Sequence, residues 1–199
     1  SFPELVVQME NGVVKNFPIA GTRHRGKNAA EDKEIAKGLL KDEKELAEHM
    51  MLIDLGRNDL GRICEFGSVK VAKKMIIKKF SHVMHICSEI HGKILKNKDM
   101  FDALAVSMPM GTVSGAPKVR AMELINKYEK TPRGPYAGSI GYFSLNGDCK
   151  LTAGLRAIFI SKGIGSIRAG AGLVYDSQPD YEFNETENKM RGMRRVVER

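Results

Sequence analysis

Two Asn-Gly pairs constrain the fold of this chain more than any other feature of its sequence. Asn11-Gly12 and Asn146-Gly147 each separate two short apolar runs. Asn and Gly accept the positive φ angles of a two-residue turn, so each pair predicts a β-hairpin. The Gly-rich turn Lys162-Gly163-Ile164-Gly165 likewise predicts a strand on either side of it. Strands joined by hairpins pair antiparallel, and the sequence therefore predicts antiparallel sheet.

Apolar periodicity and capping residues supply the remaining elements. Helices are predicted over 29–40, from an N-cap at Asp42, from an N-cap at Ser81 to about residue 95, from an N-cap at Asp99, over 117–128 and over 180–197. Strands are predicted over 69–80, 139–145, 150–160 and 166–175. This order indicates the α+β class, with antiparallel β-sheets packed with flanking helices, rather than a doubly wound sheet. We see no repeat or linker, which predicts no internal domain boundary within 1–199.

Composition excludes several classes of protein. The chain is 42% hydrophobic and 28% charged, which is typical of a folded domain and not of a disordered chain. Its net charge is +8, but the basic residues are dispersed and only 7% of residues are aromatic, which disfavours nucleic-acid binding. No apolar run reaches the roughly 18 residues of a membrane helix. The three cysteines show no metal-ligand spacing, and we interpret them as reduced thiols of a cytoplasmic protein.

Four groups of residues could either take part in binding or catalysis or have a purely structural role. The Gly-rich loop 111–118 leads into a helix N-terminus, which suits a bound anion or an ordinary turn. The segment 170–172 suggests close approach by a ligand or by another strand. Glu185 and Lys189 are four residues apart on a helix, as in a cation site or a solvated ion pair. His85 fits a proton-transfer residue or a hydrogen-bonded structural histidine. Spacing alone leaves the loop and His85 open, and it favours packing at 170–172 and a solvated ion pair for Glu185 and Lys189.

Seven longer segments, considered together, favour the functional interpretation of these groups. In chain order they are 18–23, 48–62, 83–85, 111–123, 133–138, 169–174 and 184–189. Together they resemble the chorismate-binding domain of anthranilate synthase component I and its relatives, in the family's order from one end of the chain to the other. The resemblance implies the anthranilate/aminodeoxychorismate synthase-like chorismate-binding fold.

The same resemblance implies that this fold is present in part. The family's catalytic domain has a substantial portion before the segment that reads Ser1-Phe2-Pro3-Glu4 here. We therefore expect 1–199 to be the C-terminal portion of a chorismate-binding catalytic domain, as an N-terminally truncated fragment. Unpaired sheet edges in such a fragment would favour self-association.

The resemblance also assigns roles to individual residues. It implies that Glu48 and Glu185 hold Mg²⁺, that His85 transfers protons, and that Thr112 lies near the ring hydroxyl of chorismate. Lys189 and the 170–172 backbone would bind the ring carboxylate. Tyr136 and Arg156 would bind the enolpyruvyl carboxylate. The full set of implied substrate contacts is Gly21, Thr22, Tyr136, Arg156, Gly170, Ala171, Gly172 and Lys189.

Two positions favour one activity within the family. Aminodeoxychorismate synthases carry a nucleophilic Lys where this chain has Ala20, and isochorismate and salicylate synthases differ in the loop 111–118. The resemblance therefore implies an anthranilate synthase-type lyase of tryptophan biosynthesis. It would aminate chorismate with ammonia, eliminate pyruvate, and work with a glutamine amidotransferase subunit (component II). The alternatives are another chorismate-utilising enzyme, or an inactive fragment that binds only a ligand or partner. The residues 150–155, just before Arg156, depart from the family's pattern.

Overall fold

The first Asn-Gly pair forms the predicted hairpin. In the computed structural model, which describes residues 4–175 and 177–197, Asn11 and Gly12 have φ angles of 50° and 73°. Both angles are positive, as a type I′ turn requires. The turn joins β1 (Leu5–Glu10) to β2 (Val13–Asn16), which pair antiparallel. The prediction of a hairpin at this position is confirmed.

The remaining elements follow in an order close to the predicted one. They are β3 (Ile19–His24), α1 (Ala29–Leu39), α2 (Glu43–Gly61), β4 (Lys70–Lys79), β5 (Val83–Lys93), α3 (Met100–Ser107), α4 (Gly111–Ser114), α5 (Lys118–Tyr128), β6 (Ser139–Phe143), β7 (Cys149–Ala153), β8 (Ile158–Ser161), β9 (Ile164–Ile167) and α6 (Pro179–Val197). Two of the three predicted N-caps are confirmed, because the Asp42 and Asp99 side chains accept backbone N–H groups of α2 and α3.

The chain divides into two compact units, each described here by itself. The first, which we call the sheet unit, comprises 5–108 and 141–151. The second, which we call the α6 unit, comprises Glu4, 109–140 and the described residues from 152 onward. The prediction of a single domain without an internal boundary stays a prediction.

Seven strands form the main sheet, in the order β3-β5-β2-β1-β7-β6, with β4 paired along the other edge of β5. The pairings of β5 with β2, β3 and β4 are all antiparallel. The observed sheet is antiparallel, as the turn residues predict, and the α+β class is confirmed. A separate antiparallel hairpin pairs β8 with β9.

The helix predicted from Ser81 to about residue 95 is wrong, because this segment is the strand β5. Residues 84–90 are all buried, so both faces of the strand are covered by other parts of the protein. A strand buried on both faces shows apolar residues at helical spacings as well as at alternate positions. The apolar spacing at Val83, Ile86 and Ile90, which predicted a helical face, therefore also fits a strand that is buried on both faces, and the strand is what the structure shows.

Helices α1 and α2 pack against the sheet unit's strands. Leu39, Met84 and Ile86 form a buried cluster to which α1, α2 and β4 add partly buried apolar side chains. A Cβ at Gly56 of α2 would lie 2.6 Å from Asn16 Oδ1 and 2.7 Å from Ile90 Cδ1. Only a glycine lets α2 approach β2 and β5 this closely, and this contact fixes the helix that carries Glu48.

The cysteines and the hydropathy of the helices were also considered in the sequence-based expectations. Cys64, Cys87 and Cys149 are buried, and none of them forms a disulfide in the described part of the chain. Burial raises the pKa of the Cys64 thiol to about 11. Within residues 4–175 and 177–197, no helix is both long and apolar enough to cross a membrane.

Candidate active site

His85 lies on the buried strand β5 of the sheet unit, where β3 runs beside it. Its Nδ1 atom is 2.9 Å from the Gly21 carbonyl oxygen and 3.1 Å from Thr22 Oγ1. A carbonyl oxygen only accepts hydrogen bonds, so Nδ1 carries the ring proton in the bond to Gly21. In the neutral form of this tautomer, the ring has its lone pair on Nε2. Three residues that the resemblance assigned to the site, Gly21, Thr22 and His85, are thus in direct contact.

Gly21 makes this contact through an irregular backbone. Its φ angle is +67°, and the register between β3 and β5 shifts between Ala20 and Thr22, which marks a β-bulge. A Cβ there would lie 3.1 Å from a Leu39 methyl group. The glycine is therefore required by both backbone conformation and space, and the bulge directs its carbonyl group at His85.

Glu48 lies on α2, and its neighbour His49 anchors that helix to the sheet. His49 is fully buried and its Nε2 is 2.8 Å from Ser88 Oγ, which also accepts the Met75 N–H at 2.9 Å. Burial lowers the pKa of His49 to about 4, so the ring is neutral at physiological pH. The Glu48 side chain is 40% exposed and its Oε1 is 4.0 Å from Lys44 Nζ. This carboxylate is accessible to a ligand.

Four predicted residues converge in the α6 unit. Lys189 Nζ is 2.6 Å from Glu185 Oε1 and donates to the Gly170 carbonyl oxygen at 3.0 Å. A Cβ at Gly170 would lie 3.1 Å from the Tyr136 hydroxyl, so the phenol packs directly on this glycine. Burial raises the pKa of Tyr136, and the phenol keeps its proton at neutral pH. Spacing along α6 predicted the pair Glu185 and Lys189, and the chain's tertiary fold adds Gly170 and Tyr136.

Arg156 lies at a break in a predicted strand. The single strand expected over 150–160 is wrong: it is divided into β7 and β8, and Arg156 between them has a φ angle of +49°. The break follows from Gly154, where a Cβ would lie 2.8 Å from the Pro135 carbonyl oxygen. The loop that carries Tyr136 therefore packs against this bend, and the Ala137 N–H donates to the Gly154 carbonyl oxygen at 3.1 Å. The strand predicted over 166–175 is also shorter, because β9 ends at Ile167 and 170–172 is irregular.

Sequence reasoning missed Glu4. Its carbonyl oxygen accepts hydrogen bonds from the Ala153 N–H at 2.7 Å and from Thr152 Oγ1 at 2.8 Å. Its carboxyl group is hydrogen-bonded by the side chain of Thr112 and lies in the field of Arg156 and Lys189. No spacing rule joins Glu4 to Thr112, because more than a hundred residues of chain separate them and only the folded α6 unit brings them together.

Arg133 was part of a motif but had no predicted role. Its guanidinium donates to the Val113 carbonyl oxygen at 2.6 Å and to both Glu129 carboxylate oxygens, with Nε 3.0 Å from each. It also lies over the Tyr136 ring, 5.7 Å from the centroid. One side chain thus connects the end of α5, the turn that carries Thr112 and the ring of Tyr136.

The predicted Mg²⁺ ligands lie in different units, Glu48 in the sheet unit and Glu185 in the α6 unit. Among residues 4–175 and 177–197, no group of three or more His, Cys, Asp or Glu side chains is close enough to hold a metal ion. The chemistry of the two residues fits Mg²⁺ nevertheless, because this ion takes one or two protein carboxylates and fills its remaining positions with water and substrate oxygens. Both carboxylates are 40% exposed and so accessible.

Comparison with known proteins identifies the class to which this fold and these residues belong. Residues 1–195 match the family of chorismate binding enzymes. The chain belongs to this family.

Individual members of the family are similar to this chain in sequence and in structure. The chain is 52% identical over 198 residues to anthranilate synthase component 1 of Methanothermobacter thermautotrophicus, covering 100% of this chain and 43% of the relative. The crystal structure of anthranilate synthase component I from Streptococcus pneumoniae superimposes with a TM-score of 0.88 at 47% identity, over 96% of this chain and 42% of that one. The isochorismate synthase DhbC of Bacillus anthracis gives a TM-score of 0.84 at 29% identity, over 98% of this chain and 52% of that one. The chain thus spans about two fifths of the length of the curated relatives it matches.

Proposed function

We propose that this chain is the chorismate-binding part of an anthranilate synthase component I, which converts chorismate and ammonia to anthranilate and pyruvate. The observation that carries the proposal is the convergence of Glu185, Lys189, Gly170 and Tyr136 in the α6 unit. Relatives that are anthranilate synthases share about half of its residues, whereas DhbC shares 29%. Ala20, in place of a nucleophilic Lys, supports amination without a covalent intermediate.

The residues of the α6 unit suit the charges of chorismate, which is a dianion. Lys189 would exchange its contact with the Gly170 carbonyl for the ring carboxylate, which the backbone of 170–172 would also bind. Arg156 would hold the enolpyruvyl carboxylate with its two-pronged donor set, and the protonated Tyr136 phenol would donate to the same group. Thr112 would lie beside the ring hydroxyl.

The sheet unit supplies the proton-transfer residue in this proposal. With Nδ1 donating to the Gly21 carbonyl, the Nε2 atom of His85 can accept a proton from the substrate or the adding nitrogen and return it. Glu48 and Glu185 would hold Mg²⁺, whose charge neutralises a carboxylate and withdraws electron density from the ring. Ammonia would be delivered by a glutamine amidotransferase subunit.

Anthranilate fluorescence tests the proposal. The chain is mixed with chorismate, ammonium and Mg²⁺, and the products are separated to distinguish anthranilate from isochorismate. Anthranilate formation that is lost in Lys189→Gln and retained in the exposed variant Glu123→Gln is the expected result. Isochorismate as the product would refute the reaction. Chorismate binding by calorimetry without any turnover would select the alternative of a fragment that only binds its ligand.

A further inference from the structure

Two kinds of contact set the orientation of the His85 ring. Its Nδ1 atom is held by Gly21 and Thr22, and the Phe80 ring packs against the imidazole with ring centroids 5.7 Å apart and an interplanar angle of 52°. The hydrogen bond fixes one edge of the imidazole but lets the ring tilt about that edge. The aromatic contact limits the tilt, because ring pairs prefer tilted or offset arrangements at centroid distances of about 4.5–7 Å. The direction of Nε2, on the opposite side of the ring, therefore depends on both contacts.

Phe80 lies in the turn between β4 and β5, and its backbone is held from two sides. Its N–H donates to the Val83 carbonyl oxygen at 2.8 Å, which closes the turn. Its carbonyl oxygen accepts a hydrogen bond from the Arg25 guanidinium, and the Arg25 backbone N–H donates to the His82 carbonyl oxygen at 3.2 Å. Two contacts from the segment after β3 thus restrain the turn, and with it the ring that touches His85.

Asp32, in the first turn of α1, holds the Arg25 guanidinium in this position. The carboxylate is 4% exposed, both its oxygens lie 3.0 Å from Arg25 Nε, and the Gly26 N–H donates to it at 2.8 Å. Lys79, at the end of β4, places its Nζ atom 3.5 Å from the same carboxylate. A nearly buried carboxylate requires such charged partners, and the guanidinium that satisfies it is directed at the Phe80 carbonyl. A Cβ at Gly26 would lie 2.7 Å from the Asp32 backbone nitrogen, so only a glycine allows this close approach to α1.

We propose that Phe80 is a positioning residue for proton transfer by His85, and that Arg25 and Asp32 act on His85 through it. This assignment rests on the proposed function, in which Nε2 of His85 accepts a proton and returns it. Proton transfer requires the two heavy atoms at hydrogen-bond distance, and a misplacement of about 1 Å can lower a rate about 100-fold. Phe80 neither gives nor takes a proton, so it acts by setting where Nε2 lies.

The ring tautomer of His85 reports this restraint without any substrate. The ¹⁵N spectrum of the neutral ring measures the ratio of the Nδ1-protonated to the Nε2-protonated form. Phe80→Leu keeps an apolar side chain but removes the aromatic ring. We expect it to lower this ratio by about two- to tenfold, which is the factor that an aromatic pair contributes. Phe80→Tyr retains the ring and should retain the wild-type ratio.

Phe101→Leu is the matched control, because it removes a different ring pair of the sheet unit. The rings of Phe101 and Phe143 lie 4.8 Å apart. This variant should leave the tautomer ratio of His85 unchanged, and thermal melts verify that each variant folds. Under the proposed function, Phe80→Leu should lower kcat for anthranilate formation about tenfold and leave KM for chorismate within about threefold, whereas Phe101→Leu should change neither.

A double-mutant cycle tests whether Arg25 acts through Phe80. A lysine at position 25 can keep the charge pair with Asp32 but cannot also reach the Phe80 carbonyl oxygen. Arg25→Lys should therefore lower the tautomer ratio of His85 about twofold when Phe80 is present and leave it unchanged in Phe80→Leu. Equal effects in the two backgrounds overturn the route through Phe80.

The two readouts separate failure of this assignment from failure of the proposed function. An unchanged tautomer ratio in Phe80→Leu, or an equal fall in Phe101→Leu, overturns the assignment and leaves the proposed function intact. A lowered ratio with unchanged kcat also overturns it, because the restraint would then have no effect on the reaction. If the wild type forms no anthranilate, the proposed function fails and the catalytic role assigned to Phe80 fails with it, whatever the tautomer ratio shows.

Discussion

Arg133 offers the sharpest test of how the α6 unit holds its site, because one guanidinium makes three different contacts. It donates to the Val113 carbonyl oxygen at 2.6 Å, forms a two-pronged pair with Glu129, and lies 5.7 Å from the centroid of the Tyr136 ring. Arg133→Lys retains the positive charge and removes the planar fork. A lysine ammonium can replace one of these contacts but cannot reach all three together.

The expected loss follows from the individual contacts. A hydrogen bond from a charged donor contributes about 1.5–3 kcal/mol, a partly exposed ion pair about 0.2–1 kcal/mol, and an exposed cation–π contact about 0.5–1 kcal/mol. If the lysine retains the ion pair, we expect Arg133→Lys to lower the free energy of unfolding by about 2–4 kcal/mol. The matched control is Arg120→Lys on α5, whose ion pair with Glu123 has side chains 65% and 58% exposed. We expect that control to change stability by less than about 0.5 kcal/mol.

Urea unfolding followed by circular dichroism measures the stabilities, and calorimetry measures chorismate affinity. We expect Arg133→Lys to weaken chorismate binding as well, because Thr112 precedes the restrained Val113 and Tyr136 loses its packing partner. The reasoning is refuted if Arg133→Lys is as stable as Arg120→Lys. If stability falls and chorismate affinity is unchanged, Arg133 supports the fold without positioning the site.

Three further predictions concern the sheet unit. Gly56→Ala should lower the free energy of unfolding by about 1–3 kcal/mol because its Cβ would lie 2.6 Å from an amide oxygen on β2, whereas Gly38→Ala, with nothing within 4 Å, should raise it by up to about 1 kcal/mol; urea unfolding measures both. Gly21→Ala should disturb the bulge at φ +67° and change the ¹⁵N shifts of the His85 ring, and unchanged shifts would contradict the assigned hydrogen bond. The pKa of Asp32 is well below its usual range because Arg25 and the Gly26 N–H hydrogen-bond to it. A lowered folded-state pKa stabilises the protein above the unfolded-state pKa of about 4 and loses that contribution as pH falls, so stability should drop below about pH 4, and less steeply in Asp32→Asn.

The fold was predictable where local chemistry determines it. The turn at Asn11-Gly12 requires positive φ angles, and Asp42 and Asp99 cap helices, so these signals act within a few residues. The strand β5 was not predictable in this way, because the burial of its faces depends on the packing of elements distant in the sequence. The break at Gly154 likewise depends on the close approach of the Pro135 carbonyl, which no pattern of apolar residues records.

The contacts of the candidate site were likewise predictable from local spacing in some cases and only from the tertiary structure in others. Helical spacing alone joined Glu185 to Lys189, and an ion pair of 2.6 Å is present. The contact of Tyr136 with Gly170 joins segments more than thirty residues apart, and only the resemblance to a family placed both residues in one site. Glu4 belongs to no spacing pattern and had no assigned role, so only the tertiary structure could associate it with Thr112.

The charges of the α6 unit lead to a test of the proposal that a divalent cation takes part in the reaction. Arg156 and Lys189 contribute two positive charges, and Glu185 contributes one negative charge that already pairs with Lys189 at 2.6 Å. A dianionic substrate brings two more negative charges, so the group carries a net charge of −1 when Glu4 is protonated and −2 when it is ionised. An excess negative charge in a partly buried site is costly. In the proposed function, Mg²⁺ bound by Glu185 would compensate this charge, and chorismate affinity should therefore rise with Mg²⁺ concentration in the wild type and much less in Glu185→Gln. Equal chorismate affinity with and without Mg²⁺ would show that the protein's own cations suffice.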